Sequence, residues 1–404
     1  MKTTMHLTET TLINLSTQLN EPEWLINVRR AAFKKFVDLP MPSFRYGTDI
    51  QLNATELDLS TLNPMGDISL NENNTLAPAE KITVVTFHDA LKTHPELVQN
   101  HFMKCIAAED KLLALHYAFF THGVVIHVPK NVHAMYTFET PQRSTTDLGH
   151  ILIILEPNSS LNLVQEIYSK YSNGKHDTKA YRSEVVEVFA KENAQLHFGS
   201  VQLLNKKTFN LIARRALAEK DAQIEWLELG LGGSFTRAEV STWLNGTGAT
   251  SYNYGVFFGQ AHQQFDILAA AKHSASNTTC DMFTKGVLTD QSKLVYRGLI
   301  KIEENAVHCN GYQKEDTLLL SEEAQADSIP ELEINNNDVR CTHGATIGQI
   351  DAEKLFYLRS RGLSEGLAKQ KMVEGFFEPL IKRLSLTGIQ DKVRSLIAEQ
   401  IHLT

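Results

Sequence analysis

Glu192-Asn193-Ala194-Gln195-Leu196-His197-Phe198 is echoed 28 residues later by Lys220-Asp221-Ala222-Gln223-Ile224-Glu225-Trp226. A repeat of that length suits one coil of a β-solenoid, in which each coil covers the apolar face of its neighbour. The same pattern is open to a β-sandwich, the ordinary alternative. Around the echo, from about residue 124 to 350, the chain breaks into short β-type runs separated by turn residues. Examples are Ile151–Leu155, Val185–Phe189, Gln195–Phe198, Gln223–Leu229, Tyr252–Phe258 and Lys293–Lys301. Clean helical periodicity over 12 or more residues does not interrupt these runs, which disfavours a doubly wound sheet of alternating strands and helices.

The pattern changes on both flanks. Trp24, Leu25, Val28, Ala31, Ala32 and Phe36 recur at helical spacing and predict a helical stretch over 9–38, closed by Pro40 and Pro42. Residues 40–80 are rich in Asn, Asp, Ser and Thr and read as a long irregular connection. A second helical stretch over 95–121 leads to Gly123 and the strand Val124–Val128, stopped by Pro129. Beyond 352 the chain is helical again. Ala352–Arg361 ends at Gly362, a C′ glycine, and Met372, Val373, Phe376, Phe377, Leu380, Ile381 and Leu384 form an apolar stripe. Pro379 should bend or break that helix, and Thr387-Gly388-Ile389-Gln390 resembles a capping box for a last helix to about 402. The stripe suits either a local core or a partner surface. The expected organisation is an N-terminal helical and irregular region (1–100), a β core with its lead-in helix (101–350) and a helical C-terminal domain (351–404).

Composition narrows the function. The chain has 404 residues, 42% of them apolar, and a net charge of −8. A mildly acidic chain has no broad electrostatic footprint for nucleic acid. The N-terminus lacks the apolar core of a secretory signal, and nowhere do 18 apolar residues run together, so neither secretion nor a membrane helix is expected. Four cysteines, Cys105, Cys280, Cys309 and Cys341, lie far apart, which fits free thiols in a reducing cytoplasm.

Several segments resemble the SufB/SufD family, in family order across most of the chain. Glu21-Pro22-Glu23-Trp24-Leu25 with Leu39-Pro40-Met41-Pro42 is similar to its opening. Ala118-Phe119-Phe120-Thr121-His122-Gly123-Val124-Val125-Ile126-His127-Val128-Pro129-Lys130 resembles its lead into the β-helix. The most specific segment is Val339-Arg340-Cys341-Thr342-His343-Gly344-Ala345-Thr346-Ile347-Gly348-Gln349-Ile350-Asp351, followed by Leu355-Phe356-Tyr357-Leu358-Arg359-Ser360-Arg361-Gly362. Residues 50–100 match least. The resemblance implies a mainly β protein: a right-handed parallel β-helix flanked by N- and C-terminal α-helical regions. It also implies a scaffold for iron–sulfur cluster assembly, built from one SufB, one SufD and two SufC ATPase subunits. The C-terminal helices would dock SufC, and the SufB and SufD β-helices would meet edge to edge, near where the nascent cluster forms. Two departures set the chain on the SufD side. It has Gly344 where SufB usually has Glu, and Ala324 lies near the position of SufB's essential cysteine, ahead of Ile329-Pro330-Glu331-Leu332-Glu333.

Cys341 and His343 are two residues apart, so on a strand both point to one face. A thiolate beside an imidazole suits iron, although an isolated Cys-x-His pair is usually structural. With the resemblance, His343 first and Cys341 second are expected to be transient ligands of iron or of a nascent cluster shared with SufB, with no permanently bound cofactor. Without a Cys-x-x-Cys pair the chain does not read as a ferredoxin-like carrier. Cys105, Cys280 and Cys309 read as buried thiols, with His308 on the face opposite Cys309. Gly230-Leu231-Gly232-Gly233 and Gly246-Thr247-Gly248 read as turns, and there is no P-loop, so ATP hydrolysis would belong to SufC. The remaining alternatives are a SufB-type paralogue that accepts sulfur and a carbohydrate-active β-helix enzyme using carboxylates such as Glu225, Glu228, Asp266 and Asp281. A homodimeric interaction platform is a further alternative, and self-pairing in isolation is compatible with the SufD reading.

Overall fold

The computed structural model describes residues 6–46, 50–54, 57–66, 81–142, 144–170, 179–386 and 388–402. Its centre is a parallel β-solenoid in which each coil gives one strand to each of two sheets. The nine-stranded sheet contains, in spatial order, Thr83–Thr86, His122–Val128, Thr146–Leu155, Ala180–Ala190, Thr208–Ala218, Phe235–Leu244, Gln264–His273, Lys293–Ile302 and Gln325–Ile334. The eight-stranded sheet contains His133–Gln142, Ser160–Ser169, Gln195–Leu203, Gln223–Gly230, Thr250–Gly259, Thr279–Leu288, Asn310–Leu319 and Arg340–Gln349. Every described neighbour pair in them is parallel except Thr83–Thr86 against His122–Val128.

The sequence echo is one coil stacked on the next. Gln195, Leu196, His197 and Phe198 stand in register with Gln223, Ile224, Glu225 and Trp226. Asn193 and Asp221, the second residues of the two echoed segments, turn the corner with φ of 56° and 55°. Asn131 and Asn158 hold the same left-handed conformation in earlier coils, at φ of 60° and 59°. Asn tolerates that conformation better than other side chains. The amides then stack into a ladder: Asn193 Nδ2 donates to Asn158 Oδ1 at 2.9 Å, and Asn158 Nδ2 to Asn131 Oδ1 at 3.1 Å.

Alternate residues of each strand face the lumen, where Leu161, Leu163, Leu196, Phe198, Ile224, Trp226, Cys280 and Met282 are buried in one core. The lumen is not wholly apolar. Arg214 Nη2 binds Glu184 Oε1 at 2.9 Å, Ser200 Oγ at 3.0 Å and Gln165 Oε1 at 3.1 Å, and its Nη1 binds Glu228. Arg182 Nη2 binds the other oxygen of Glu184 at 2.5 Å.

Helices cover the outer faces. Helices α1 (Glu9–Gln18), α2 (Glu23–Asp38), α3 (Phe87–Thr93), α4 (Pro95–His101) and α5 (Lys111–Phe119) share a core with the outward side chains Leu152, Ile154, Val185, Phe209 and Leu211 of the nine-stranded sheet. The predicted helix over 9–38 is two helices, because the chain reverses at Asn20 (φ 51°) and restarts after Pro22. The stretch over 95–121 is likewise divided: Met103 takes φ 60°, and Glu187 on the sheet accepts the amides of Met103, Cys105 and Ile106 at 2.6–3.1 Å. Those amides therefore bond a carboxylate and not a helix. Arg29, fully buried, ties α2 to α5 through Glu21 and the carbonyls of Ala118 and Phe120.

At the C-terminus lie α6 (Ala352–Ser360), α7 (Glu365–Ile381) and α8 (Ile389–His402). The apolar stripe of α7 docks on the solenoid: Val373, Phe377, Leu380, Ile381 and Leu384 share a core with Leu227, Leu229, Tyr254, Val256 and Phe258 on the outer face of the eight-stranded sheet. Pro379 does not break α7, which ends two residues later. The expected cap residue Thr387 lies outside the described residues.

Candidate functional site

The two ends of the solenoid differ. At the first end, Thr83–Thr86 and the N-terminal helices pack over the opening strand of the nine-stranded sheet, while the first strand of the eight-stranded sheet, His133–Gln142, pairs on one side only. At the last end, Gln325–Ile334 and Arg340–Gln349 each pair on one side only, and no described strand or helix caps them. Residues of both strands are mostly half-buried or exposed, in contrast to the buried strands one coil before. Ile347 is 42% exposed although it points inward in the register.

Cys341 and His343 lie on this last strand. Strand alternation sends both toward the lumen, where they end two columns: Leu196–Ile224–Ser251–Cys280–Gly311–Cys341 and Phe198–Trp226–Asn253–Met282–Gln313–His343. The two are not equivalent. Cys341 is half-buried and packs on the lumen core, and its Sγ would stand 3.0 Å from a β-carbon at Gly311, so glycine there makes room for the thiol. Burial pushes that thiol up to about 11, so it is protonated at neutral pH and binds metal only by losing the proton. His343 is exposed at the open end. Among the described residues no group of three or more His, Cys, Asp or Glu side chains is arranged to hold a metal ion.

The other singled-out residues sit elsewhere. Cys280 and Cys309 are buried lumen thiols. Cys280 Sγ lies 3.2 Å from His273 Nε2, whose imidazole burial holds down at about 4. Cys309 Sγ lies 3.2 Å from Thr278 Oγ1, while His308 turns outward to Asp338 at 2.9 Å. Cys105 is buried between α4 and α5, in a turn and not in a helix. The glycine clusters form turns, with Gly233 and Gly248 at φ of 83° and 79°. Each of the four carboxylates is engaged by another side chain, and Glu225 and Asp281 stand in one outer-face column on either side of Tyr252. Glu225 accepts from Ser385, Glu228 meets Arg214 in the lumen, Asp266 accepts from Tyr46 at 2.6 Å under the N-terminal region, and Asp281 pairs with Arg383 at 3.0 Å.

Two features lay outside the sequence reading. Helix α6 has no buried residue; Phe356 and Tyr357 are 73% and 56% exposed, next to Leu367 at 40%. One coil inside the open end, Gln313 and Glu315 point into the lumen opposite Tyr296, and all three are buried. Their signal was the alternation Gly311, Gln313, Glu315, Thr317, which puts polar residues on the face that carries apolar ones elsewhere.

These features define a β-solenoid scaffold with one end covered in one sheet by the N-terminal region, one end open in both sheets and carrying a thiol and an imidazole, and a helix, α6, with exposed aromatic side chains. Residues 138–376 match the SufBD core domain of the SUF system for iron–sulfur cluster assembly, and residues 53–138 match the SufBD protein N-terminal region. The iron–sulfur cluster assembly protein SufD of Bacillus subtilis is 29% identical, with 96% of this chain and 97% of that protein covered. SufBD family proteins of Staphylococcus saprophyticus and Staphylococcus aureus are 28% and 27% identical, each with 94% of this chain and 90% of the relative covered. The chain belongs to the SufBD family of iron–sulfur cluster assembly proteins and is SufD-like. No described helix is long and apolar enough to cross a membrane.

Proposed function

We propose that this chain is a non-catalytic, cytoplasmic scaffold subunit that pairs with a SufB-type partner through its open solenoid end and receives the SufC ATPase on its C-terminal helices. The observation that carries the reading is the unpaired last coil with His343 inside it. Free strand edges template another strand, with main-chain hydrogen bonds setting the register. A partner edge laid there would enclose His343 and Cys341, and iron or a nascent cluster would complete its ligation from the partner. His343 is the first ligand, being accessible; Cys341 is the second, because its thiol must first surrender a proton. Iron reaches the assembly site in part through this chain. Helix α6 supplies an apolar docking surface in Phe356 and Tyr357, since exposed aromatic side chains mark interfaces. The stripe on α7 is already covered by the solenoid and leaves α6 for the ATPase.

The test is the native mass of the chain co-expressed without oxygen alongside its host's SufB and SufC. A species of one, one and two subunits supports the reading. A chain that ignores both partners overturns it, and a dimer alone would favour the self-pairing platform. Within an intact complex, His343→Ala should abolish cluster formation; full assembly in that variant would remove His343 from the ligand set.

A further inference from the structure

Among the described residues the two solenoid sheets end in four edge strands. Thr83–Thr86 is four residues long; His133–Gln142, Gln325–Ile334 and Arg340–Gln349 have ten each. In a parallel ladder the amide and carbonyl of one residue turn to the same neighbouring strand, and those of the next residue turn the other way. Every second residue of an edge strand therefore offers its main chain to the outside.

The bonds at the strand ends show which residues these are. The amides of Gln325 and Asn335 donate to the carbonyls of Ser292 and Ile302 at 3.1 and 3.0 Å, and the register between them is unbroken. Odd-numbered residues thus turn to Lys293–Ile302, and Ala326, Ser328, Pro330, Leu332 and Ile334 turn to the open edge. Pro330, in the middle of that row, has no amide hydrogen to offer. On the companion strand the amides of Arg340 and Ile350 donate to the carbonyls of Cys309 and Leu319 at 2.9 and 3.2 Å. Cys341, His343, Ala345, Ile347 and Gln349 therefore turn to the edge, and each carries an amide hydrogen. At the first end, the amides of Ser160 and Lys170 donate to the carbonyls of Val132 and Gln142 at 2.9 and 2.7 Å. His133, Met135, Thr137, Glu139 and Pro141 are the outward row there, and it too closes on a proline.

Both prolines occupy positions where the ring removes no ladder bond from this chain but denies one to an incoming strand. Of the three long edges, only Arg340–Gln349 presents an unbroken row of donors and acceptors. We propose that Pro141 and Pro330 confine strand addition to the Arg340–Gln349 edge, and so keep the solenoid from stacking on copies of itself. A strand added there bonds the main chain of Cys341 and His343 directly and fixes both side chains against the partner. The choice of edge rests on the main-chain directions; that the occupant is the edge strand of a SufB-type solenoid rests on the function proposed above.

Ala345→Pro copies the Pro330 arrangement onto the open strand, because the Ala345 amide turns outward and has no ladder bond to lose. The full-length variant alone should melt like wild type, and its affinity for the host's SufB should fall on the order of tenfold or more. Pro330→Ala restores the missing donor, and that chain alone should self-associate more strongly than wild type in sedimentation velocity. Residue-resolved hydrogen exchange of the wild-type chain should show SufB slowing the amides of Cys341, His343, Ala345, Ile347 and Gln349 and leaving those of Ser328 and Leu332 unslowed. Unchanged affinity in a folded Ala345→Pro, unchanged self-association in Pro330→Ala, or equal slowing on both strands overturns the proposal. If Ala345→Pro does not fold, the exchange pattern decides. If the chain binds no SufB, the function proposed above fails, while the self-association of Pro330→Ala still upholds or overturns the edge assignment.

Discussion

Arg214 is the centre of the buried ion network, and its replacement by methionine has a calculable cost. Its guanidinium is 1% exposed and serves Glu184, Gln165, Ser200 and Glu228. Arg214→Met fills similar space but leaves Glu228 in the lumen with its cation gone. Glu184 keeps Arg182. Breaking one partner out of a buried hydrogen-bonded charge network costs about 3–5 kcal/mol. For a chain of 404 residues, an unfolding entropy near 2.1 cal/mol/K per residue turns that into about 4–6 °C of melting temperature. The loss should also depend on pH. Burial already raises the Glu228 carboxyl despite Arg214 beside it, and without the arginine it rises further. A folded-state pKa above the unfolded value near 4.5 gives stability that is complete at low pH and lost as pH climbs through that value and beyond. Arg214→Met should therefore lose more at pH 8 than at pH 5, and Arg214→Met/Glu228→Gln should recover most of the deficit. Thermal unfolding followed by far-UV circular dichroism at both pH values measures all of this. A deficit below about 1 kcal/mol, or no recovery in the double variant, would refute the account of the lumen as a coupled charge network.

Other consequences follow from single contacts. Burial depresses His273 to about 4 from an unfolded value near 6.5, so the unfolded chain takes up a proton first as pH falls. Stability should decline from pH 6.5 toward 4, by about 3 kcal/mol in all, and His273→Gln should flatten that slope; denaturant unfolding at pH 7 and 4.5 checks it. Cys341 is half-buried and the other three cysteines are buried, so a thiol reagent should label one site slowly in the native chain and none in Cys341→Ser. Rapid labelling of a second thiol would contradict the burial. A β-carbon at Gly199 would stand 2.8 Å from Leu386 Cδ1, between the solenoid and the C-terminal helices. Gly199→Val should cost about 1–3 kcal/mol and expose α7 and α8 to trypsin ahead of the solenoid; unchanged proteolysis would mean that the interface accommodates the added side chain.

The open-end site was only half visible in the sequence. Cys341 and His343 announced themselves by spacing and by a family-like segment. Gln313 and Glu315 showed only an alternation of polar residues, which looks the same on a solvated strand as in a lumen. The stripe from Met372 to Leu384 was legible as an apolar face, but its partner was not, since amphipathicity says that a face is covered and not by what. The helical stretch over 95–121 was divided by Glu187, a carboxylate more than 80 residues away in sequence whose bonds to three backbone amides no local pattern reports.

By itself the sequence determined the coil. The 28-residue echo carried both the strand that stacks and the Asn or Asp that turns the corner, because strand alternation and left-handed backbone are local properties of a few residues. Only the tertiary structure decided what each strand faces. Register is set by every coil together, and it separates a lumen acid at Glu228 from an interface acid at Glu225 three residues away; on the last strand both Cys341 and His343 face the lumen, and the missing next coil leaves the imidazole exposed and the thiol half-buried.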